Sequence, residues 1–461
     1  MAGIGFELRK IYGRKTLVSN IWGTIYATMT SIGPSIMAAA LILALKFIMD
    51  RSNATELESR FFVSSFTYLF LASILISAFF STTVSRYISD CIFSRKEADI
   101  CASVFGVLTL GTVVSGVVML LLCAGMYFYS QIPLYFLVIY YLLGVLVTNA
   151  YNMMIYVSAL KEYKEVTLSY FLGVALAALV FFLCRHLFHL HVVLTAYLSL
   201  ACGYFLVVFM LVFWCVKAFG RPGPRYFAYL SYFRRFPKLT LSGFSYMLGF
   251  YISTMIYWYF SDMQETVGIF HTAPLYDQAM FLSILINMPA LVIFVVKVET
   301  AFFDKYTLYL SSLNSGSYDL IEKERLSMSN TLRYQLFFVY EVQLIICVVL
   351  ICLANILFPY LNISAQVLNM FMVLSMGLYT VFCMYFTIVF LYYFEDHTAA
   401  CIGPCVFLLV TAVLSAVAAA IGKPWYPLPL LLGGLSGWVV SFLALRRRLD
   451  TLNQFLMCKP D

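Results

Sequence analysis

Residues 217–238 read KAFGRPGPRYFAYLSYFRRFPK, with six Lys and Arg and no Asp or Glu. Pro222, Gly223 and Pro224 stop any helix that arrives from the N-terminal side. On either side the chain is dominated by long apolar runs. A bilayer core is crossed by about 20 apolar residues of helix. Windows of that kind fall near 21–48, 61–85, 103–128, 134–159, 166–184 and 192–215 before the basic stretch. A second set follows it, near 239–260, 278–297, 335–358, 366–394, 398–421 and 427–445. The windows are apolar all round rather than alternating, so they predict helices and not barrel strands. The expected fold is an all-α integral membrane protein, with twelve transmembrane helices in two six-helix lobes around a central cleft. The lobes are drawn at 1–216 and 239–461, with 217–238 as a basic cytoplasmic hinge.

Composition agrees with this reading. The chain is 63% hydrophobic and 11% charged, which excludes a soluble globule. The short charged N-terminus and the length of the first apolar run predict no cleavable signal. Twelve spans put both termini on one side. On that side the loops hold 24 of the 29 Lys and Arg, and the other side holds 5. The positive-inside rule then places both termini in the cytoplasm. The net charge of +7 is the product of this basic rim and calls for no nucleic-acid partner.

Motifs of chemistry are missing. The chain has no phosphate-binding Gly-rich loop ending in Lys-Ser/Thr, no His-Glu-x-x-His and no Gly-x-Ser-x-Gly. It is expected to be no enzyme, to need no cofactor and to hold no metal. His186, His189 and His191 cluster in a short loop without a carboxylate or cysteine beside them in sequence, and are read as interfacial polar residues. The cysteines fall mostly within spans, as small apolar filling. Cys401 and Cys405 flank Pro404, which is read as marking a bent membrane helix. Without a nucleotide site, movement of any cargo must draw on a gradient or on a push from another protein.

The first span of each lobe is the most polar. Thr24, Thr28, Ser31 and Ser35 follow at steps of four, three and four, and Ser242, Ser245, Gly249 and Ser253 at three, four and four. Each stripe lies on one helical face. Such a face is either a small-residue helix contact or the wall of a shared cleft. The cleft reading makes these hydroxyls the substrate path, with Tyr246 and Tyr251 available to stack on sugar faces. Tyr257, Trp258 and Tyr259 are read as an interfacial aromatic belt. Glu341, next to Tyr340 in span nine, is the one fair intramembrane carboxylate and joins the path list, with snorkelling to the membrane face as its other use. Asn149, Asn152 and Asn287 are read as polar ties between helices. The hinge aromatics Tyr226, Phe227, Tyr229, Leu230, Tyr232 and Phe233 make an amphipathic strip that lies on the inner leaflet or receives a partner. A second strip stands at the mouth of span one, with Ile4, Leu8 and Ile11 at helical spacing and Glu7, Lys10 and Arg14 on another face. Arg9, Lys10, Arg14, Arg225, Arg234 and Arg235 are the candidate partner-docking residues.

The opening Met-Ala-Gly-Ile-Gly-Phe-Glu-Leu-Arg-Lys (1–10) closely resembles the start of the PelG family, the integral membrane proteins of bacterial Pel exopolysaccharide systems. The resemblance continues through the polar first span with its Gly33-Pro34 and through Arg86-Tyr-Ile-Ser-Asp90, and length and span number fit. The family looks like a branch of the multidrug/oligosaccharidyl-lipid/polysaccharide flippase superfamily, whose members have two six-helix lobes around a central cavity. The resemblance implies export of an N-acetylhexosamine-rich polymer across the inner membrane during biofilm exopolysaccharide synthesis. It implies as partners a cytoplasmic glycosyltransferase and small Pel membrane subunits, one of which reads cyclic di-GMP. One departure stands out. Lipid-linked oligosaccharide flippases of the superfamily often carry cationic cavity residues, and here the spans are nearly free of Lys and Arg. That points to a neutral cargo. Two other functions stay open: an ion-coupled multidrug antiporter of the same fold, and a non-transporting scaffold that activates the glycosyltransferase.

Overall fold

The computed structural model describes residues 44–45, 55–160, 163–187, 189–294, 298, 300–361 and 363–457. The path residues Thr24, Thr28, Ser31 and Ser35 and the docking residues Arg9, Lys10 and Arg14 lie outside them, as does most of the first apolar window. Among the described residues eleven helical segments are long and apolar enough to cross a membrane. With the apolar run at 21–48, this is a multi-pass helical membrane protein of about the expected twelve spans.

Packing divides the chain into two units. The first contains the described residues up to Phe244 together with Glu265–Thr272, and the second contains Ser245–Gln264 and the residues from Ala273 onward. Residues 217–238 therefore fold wholly with the first unit. The packing boundary falls inside a helix, whereas the lobes of the sequence reading follow span topology.

In the first unit α1 spans Glu56–Phe93, α2 Glu97–Ser130, α3 Leu134–Leu160, α4 Tyr163–His186 and α5 Val192–Phe219. A reciprocal cap starts α1: the Thr55 hydroxyl accepts from the Glu58 N–H, and the Glu58 carboxylate accepts from the Thr55 N–H. At 1.5 Å per residue its 38 residues run about 57 Å, well beyond a ~30 Å hydrocarbon core. The core is aromatic. Tyr197 packs edge-on against Phe62 and Phe136, and its hydroxyl shares a 2.5 Å hydrogen bond with Ser65. The Tyr140 hydroxyl donates to the Ser65 carbonyl at 2.9 Å. Such pairings keep buried hydroxyls satisfied where hydrocarbon offers no partner. Helices α4 and α5 touch through Gly173 and Gly203, where an added Cβ on Gly203 would stand 2.7 Å from the Gly173 carbonyl oxygen. Two short strands, β1 Glu265–Val267 and β2 Phe270–Thr272, form an antiparallel hairpin on α1. Phe270 is fully buried against Phe61 and Tyr68. The Tyr68 hydroxyl donates to the His271 carbonyl at 2.8 Å, and Arg60 pairs with Glu265 at 3.1 Å.

The short helix α6 covers Leu230–Arg235, and α7, Pro237–Phe260, carries the chain from the first unit into the second. In the second unit α8 covers Pro274–Asn287 and α9 Pro289–Ile293. Window 278–297 is therefore two helices, because Pro289 supplies no N–H to continue α8. Next come α10 Thr300–Ser315, α11 Tyr318–Tyr360, α12 Ala365–Tyr393, α13 His397–Ile421, α14 Leu428–Asp450 and α15 Leu452–Met457. The segment 300–333, which no apolar window covers, forms α10 and the first sixteen residues of α11. Its charged residues lower the hydropathy but are compatible with helix, and the break falls at Gly316 and Ser317, where the Ser317 side chain caps α11. Pro404 does not interrupt α13, which runs through it. Gly403 and Gly437 bring α13 and α14 together, since an added Cβ on Gly437 would stand 3.1 Å from the Gly403 carbonyl oxygen. Helix α12 is the buried centre of this unit, with most of its residues enclosed.

Candidate functional site

Helix α7 was expected to line a path. Its Ser242, Ser245 and Ser253 are buried. Ser245 meets the Cys405 thiol of α13 at 3.6 Å, and Ser253 accepts from the Tyr276 hydroxyl of α8 at 3.0 Å. Both partners belong to the same unit as these serines. Gly249 allows the close approach of α13, because an added Cβ would stand 2.7 Å from the Phe407 ring. Tyr246 is half-buried beside Tyr385 and Phe407, with ring centroids 5.4 and 6.4 Å away. Tyr251 is half-buried against Phe250. Of the expected belt only Tyr259 is exposed. Tyr257 is buried in a stack on Tyr426 at 4.6 Å, and buried Trp258 donates its indole N–H to the Asp277 carboxylate at 3.1 Å. Position near a span end predicted the belt, and internal packing overrides it at these two rings.

The second unit encloses a seam of neutral polar groups that the sequence reading saw only in part. The Ser375 hydroxyl donates to the Ser283 hydroxyl at 3.1 Å. The Asn287 amide donates to the Ser375 carbonyl at 3.1 Å, and the Gln343 amide donates to Asn287 Oδ1 at 3.2 Å. Gln343 Oε1 is buried without a hydrogen-bond partner. Two residues away on α11, Glu341 is exposed while Tyr340 and Gln343 are buried, so the carboxylate projects away from the seam. The Tyr340 hydroxyl pairs with Thr387 at 2.8 Å, and its ring packs edge-on against Trp438. The serines here stand in helices without any motif of spacing, and of this seam only Asn287 was read from sequence as a polar tie.

The first unit has a smaller counterpart. The Asn149 amide donates to the Thr112 hydroxyl at 2.8 Å and so ties α3 to α2. Asn149 Oδ1 and both polar atoms of buried Asn152 have no hydrogen-bond partner. Gly111 makes room for them, since a Cβ there would stand 2.6 Å from Asn152 Nδ2. A buried unpaired amide costs about 1–3 kcal/mol relative to a paired one.

Charge is nearly absent from both interiors. Among the described residues two carboxylates are enclosed: that of half-buried Asp277, held by Trp258, and that of buried Asp396 at the start of α13. Asp396 is the more buried of the two. It accepts from Arg448 Nε at 2.7 Å and caps α13 through the Ala399 N–H at 3.1 Å. No three His, Cys, Asp or Glu side chains come together among the described residues. His191 bridges to Glu58 at 2.9 Å, and the His186 ring packs on Phe182. The arrangement offers hydrogen bonds and aromatic faces rather than fixed charge.

The hinge is held down on the first unit. The Gly223 N–H donates to the Ala98 carbonyl at 2.9 Å, and the Cys101 thiol to the Gly220 carbonyl at 3.0 Å. Phe233 stacks on Phe79 at 5.4 Å, and the Tyr232 hydroxyl donates to Asp90 at 3.1 Å. Tyr229 is fully buried, and this burial pushes its phenol up to about 12. Tyr229, Tyr232 and Phe233 thus face the protein, while Tyr226 and Phe227 are exposed. The basic residues point outward: Arg221, Arg225, Arg234, Arg235 and Lys238 are all exposed.

The PelG family model, described as "Putative exopolysaccharide Exporter (EPS-E)", matches residues 1–456. No curated protein matches the chain. Solved structures similar in fold include a multidrug resistance MATE family transporter of the MOP superfamily in an outward-facing conformation. It is 14% identical with a TM-score of 0.66, covering 94% of this chain and 96% of its own. A MATE in the bent conformation has a TM-score of 0.66 at 13% identity, over 94% and 96%. An inward-facing MATE family transporter of the same superfamily has a TM-score of 0.59 at 12% identity, over 94% and 99%.

Proposed function

This chain belongs to the PelG family of exopolysaccharide exporters, and on that premise we propose that it moves a growing, neutral N-acetylhexosamine-rich polymer across the cytoplasmic membrane. The observation that carries the reading is the neutral interior. Among the described residues the buried polar groups are mostly hydroxyls and amides, and the two enclosed carboxylates are engaged, Asp396 by Arg448 and Asp277 by the Trp258 indole. Amides and hydroxyls can exchange hydrogen bonds with the hydroxyl and acetamido groups of a neutral sugar chain, and tyrosine rings can cover its apolar faces. A pyrophosphate-linked lipid would call for cations, and an ion-coupled antiporter for several enclosed carboxylates. Neither set is present among the described residues. Sidedness follows from the loop charges, with both termini cytoplasmic. A cytoplasmic glycosyltransferase, held by the basic strips at the N-terminus and hinge, would feed the polymer in, and chain elongation would supply the push. The small Pel membrane subunits, including one that reads cyclic di-GMP, would complete the assembly.

The test is flux through the purified chain in liposomes. A neutral N-acetylhexosamine oligosaccharide should enter, and its deacetylated, cationic counterpart should enter more slowly. Proton-driven movement of a cationic dye with no sugar flux would favour the antiporter. Absence of both fluxes, with stimulation of the glycosyltransferase on mixing, would favour the scaffold.

A further inference from the structure

The first unit carries a binding feature that saccharide transport does not use. A cavity of about 460 Å³ lies where α1, α2, the hinge helix α6 and the start of α7 meet. Ile76, Phe79, Leu110, Val114, Phe233 and Phe244 are among its lining residues, and every lining residue is apolar. The volume is in the range of ligand sites, about 300–1,000 Å³. It opens to the surface, since Phe79 is 45% exposed and Leu230 is 40% exposed. A sugar in such a groove would leave its hydroxyls unpaired. An acyl chain would leave nothing unpaired. The hinge helix α6, which lines the groove through Leu230 and Phe233, is also basic. Arg234 stands one helical turn after the lining residue Leu230, on the same side of α6, and is exposed. Arg235 is also exposed, with its guanidinium 5.2 Å from the Phe236 ring. Residues 217–238 contain no acid, and the nearby Asp90 carboxylate, which meets Tyr232, is already paired with Arg86 at 3.2 Å.

We propose that this groove binds an anionic phospholipid, with an acyl chain along Phe79, Val114 and Phe244 and the phosphate on Arg234 and Arg235. The lipid would fasten the hinge helix to α1 and α2 through its chain, while its headgroup takes up Arg234 and Arg235 and leaves Arg225 and the N-terminal basic residues to the glycosyltransferase. Attraction of a basic cluster to anionic lipid and apolar burial of the chain act together here.

The experiment uses the full chain purified in neutral detergent with equal phosphatidylglycerol and phosphatidylcholine, followed by detergent exchange and native mass spectrometry. The native chain should retain phosphatidylglycerol over phosphatidylcholine by on the order of tenfold or more, the effect of two basic side chains at an anionic headgroup. Arg234→Gln with Arg235→Gln should bring the two lipids close to parity. Val114→Phe fills the groove and should lose both. Because that variant can fail to fold, Phe244→Trp supplies an independent reading: phosphatidylglycerol with brominated chains should quench its fluorescence. Equal retention of the two lipids by the native chain overturns the proposal, as does unchanged selectivity in the arginine variant or absence of quenching at Trp in place of Phe244. Displacement of phosphatidylglycerol by an equimolar polyprenyl phosphate overturns the assignment to a phospholipid.

Discussion

Replacing Gly106 by Ala drives a methyl group into the backbone of the hinge. An ideal Cβ at this position lies 2.0 Å from the Tyr226 carbonyl oxygen, 2.9 Å from its carbonyl carbon and 3.1 Å from the Tyr229 ring. A carbon–oxygen contact settles at about 3.3 Å or more, so the hinge backbone must retreat by roughly 1.3 Å. No side-chain rotation relieves this, because the clashing atom is backbone. Overpacking of this kind costs about 1–3 kcal/mol. Taking about 2 kcal/mol, the opened hinge becomes roughly thirtyfold more populated. Trypsin reads that population. Cleavage after Arg225 or Arg234 needs the segment to open, and with fast opening its rate follows the open fraction. Gly106→Ala should therefore be cut in the hinge roughly thirtyfold faster than the native chain, with other tryptic sites unchanged. Hinge cleavage at the native rate in a folded variant would refute the reasoning. So would an equal rise at all sites, which would report global loosening instead.

Other predictions follow from single contacts. Asp396→Ala leaves Arg448, whose side chain is only 19% exposed, without its carboxylate, and removes the cap of α13. It should lose about 3–5 kcal/mol by thermal unfolding in detergent, and Asp396→Ala with Arg448→Met should recover most of this; equal stability of the single and double variants would count against the pair. Glu341→Gln should leave substantial polymer secretion at matched protein levels, because the exposed carboxylate stands apart from the neutral seam; complete loss of export with intact insertion would make it a coupling residue. Gln substitution of Arg9, Lys10, Arg14 and Arg225 together should reduce co-purification of the glycosyltransferase, and undiminished co-purification at matched salt would leave these residues as lipid anchors.

Much of this protein was legible without coordinates. The bilayer imposes one demand on every span, internal satisfaction of backbone groups, and only long apolar helices or closed barrels meet it. Eleven of the twelve windows therefore coincide with helices among the described residues. The helical run 300–333 escaped because span reading follows hydropathy, and outside the bilayer a helix needs none. The hairpin at 265–272 escaped because three-residue strands carry too little period to stand out, and what holds them is distant: Phe61, Tyr68 and Arg60 on α1.

The split between sequence and tertiary structure is sharpest at α7. Spacing alone placed Ser242, Ser245, Gly249 and Ser253 on one face, which is a property of any helix. What that face touches depends on which neighbours approach it. Tyr276 and Cys405 lie 23 and 160 residues away in sequence and meet Ser253 and Ser245 only after folding. The hinge shows the same division. Its prolines, glycine and six basic residues fixed a break and a charged strip. Which aromatics turn inward was decided by Gly106 and by the Phe79 and Tyr87 rings they pack against. The sequence by itself determined a multi-pass helical membrane protein with spans nearly free of Lys and Arg, because hydropathy and charge act on each residue locally. Tertiary structure alone decided which polar groups pair and which remain open, because hydrogen bonds and ring contacts join residues that no spacing rule connects.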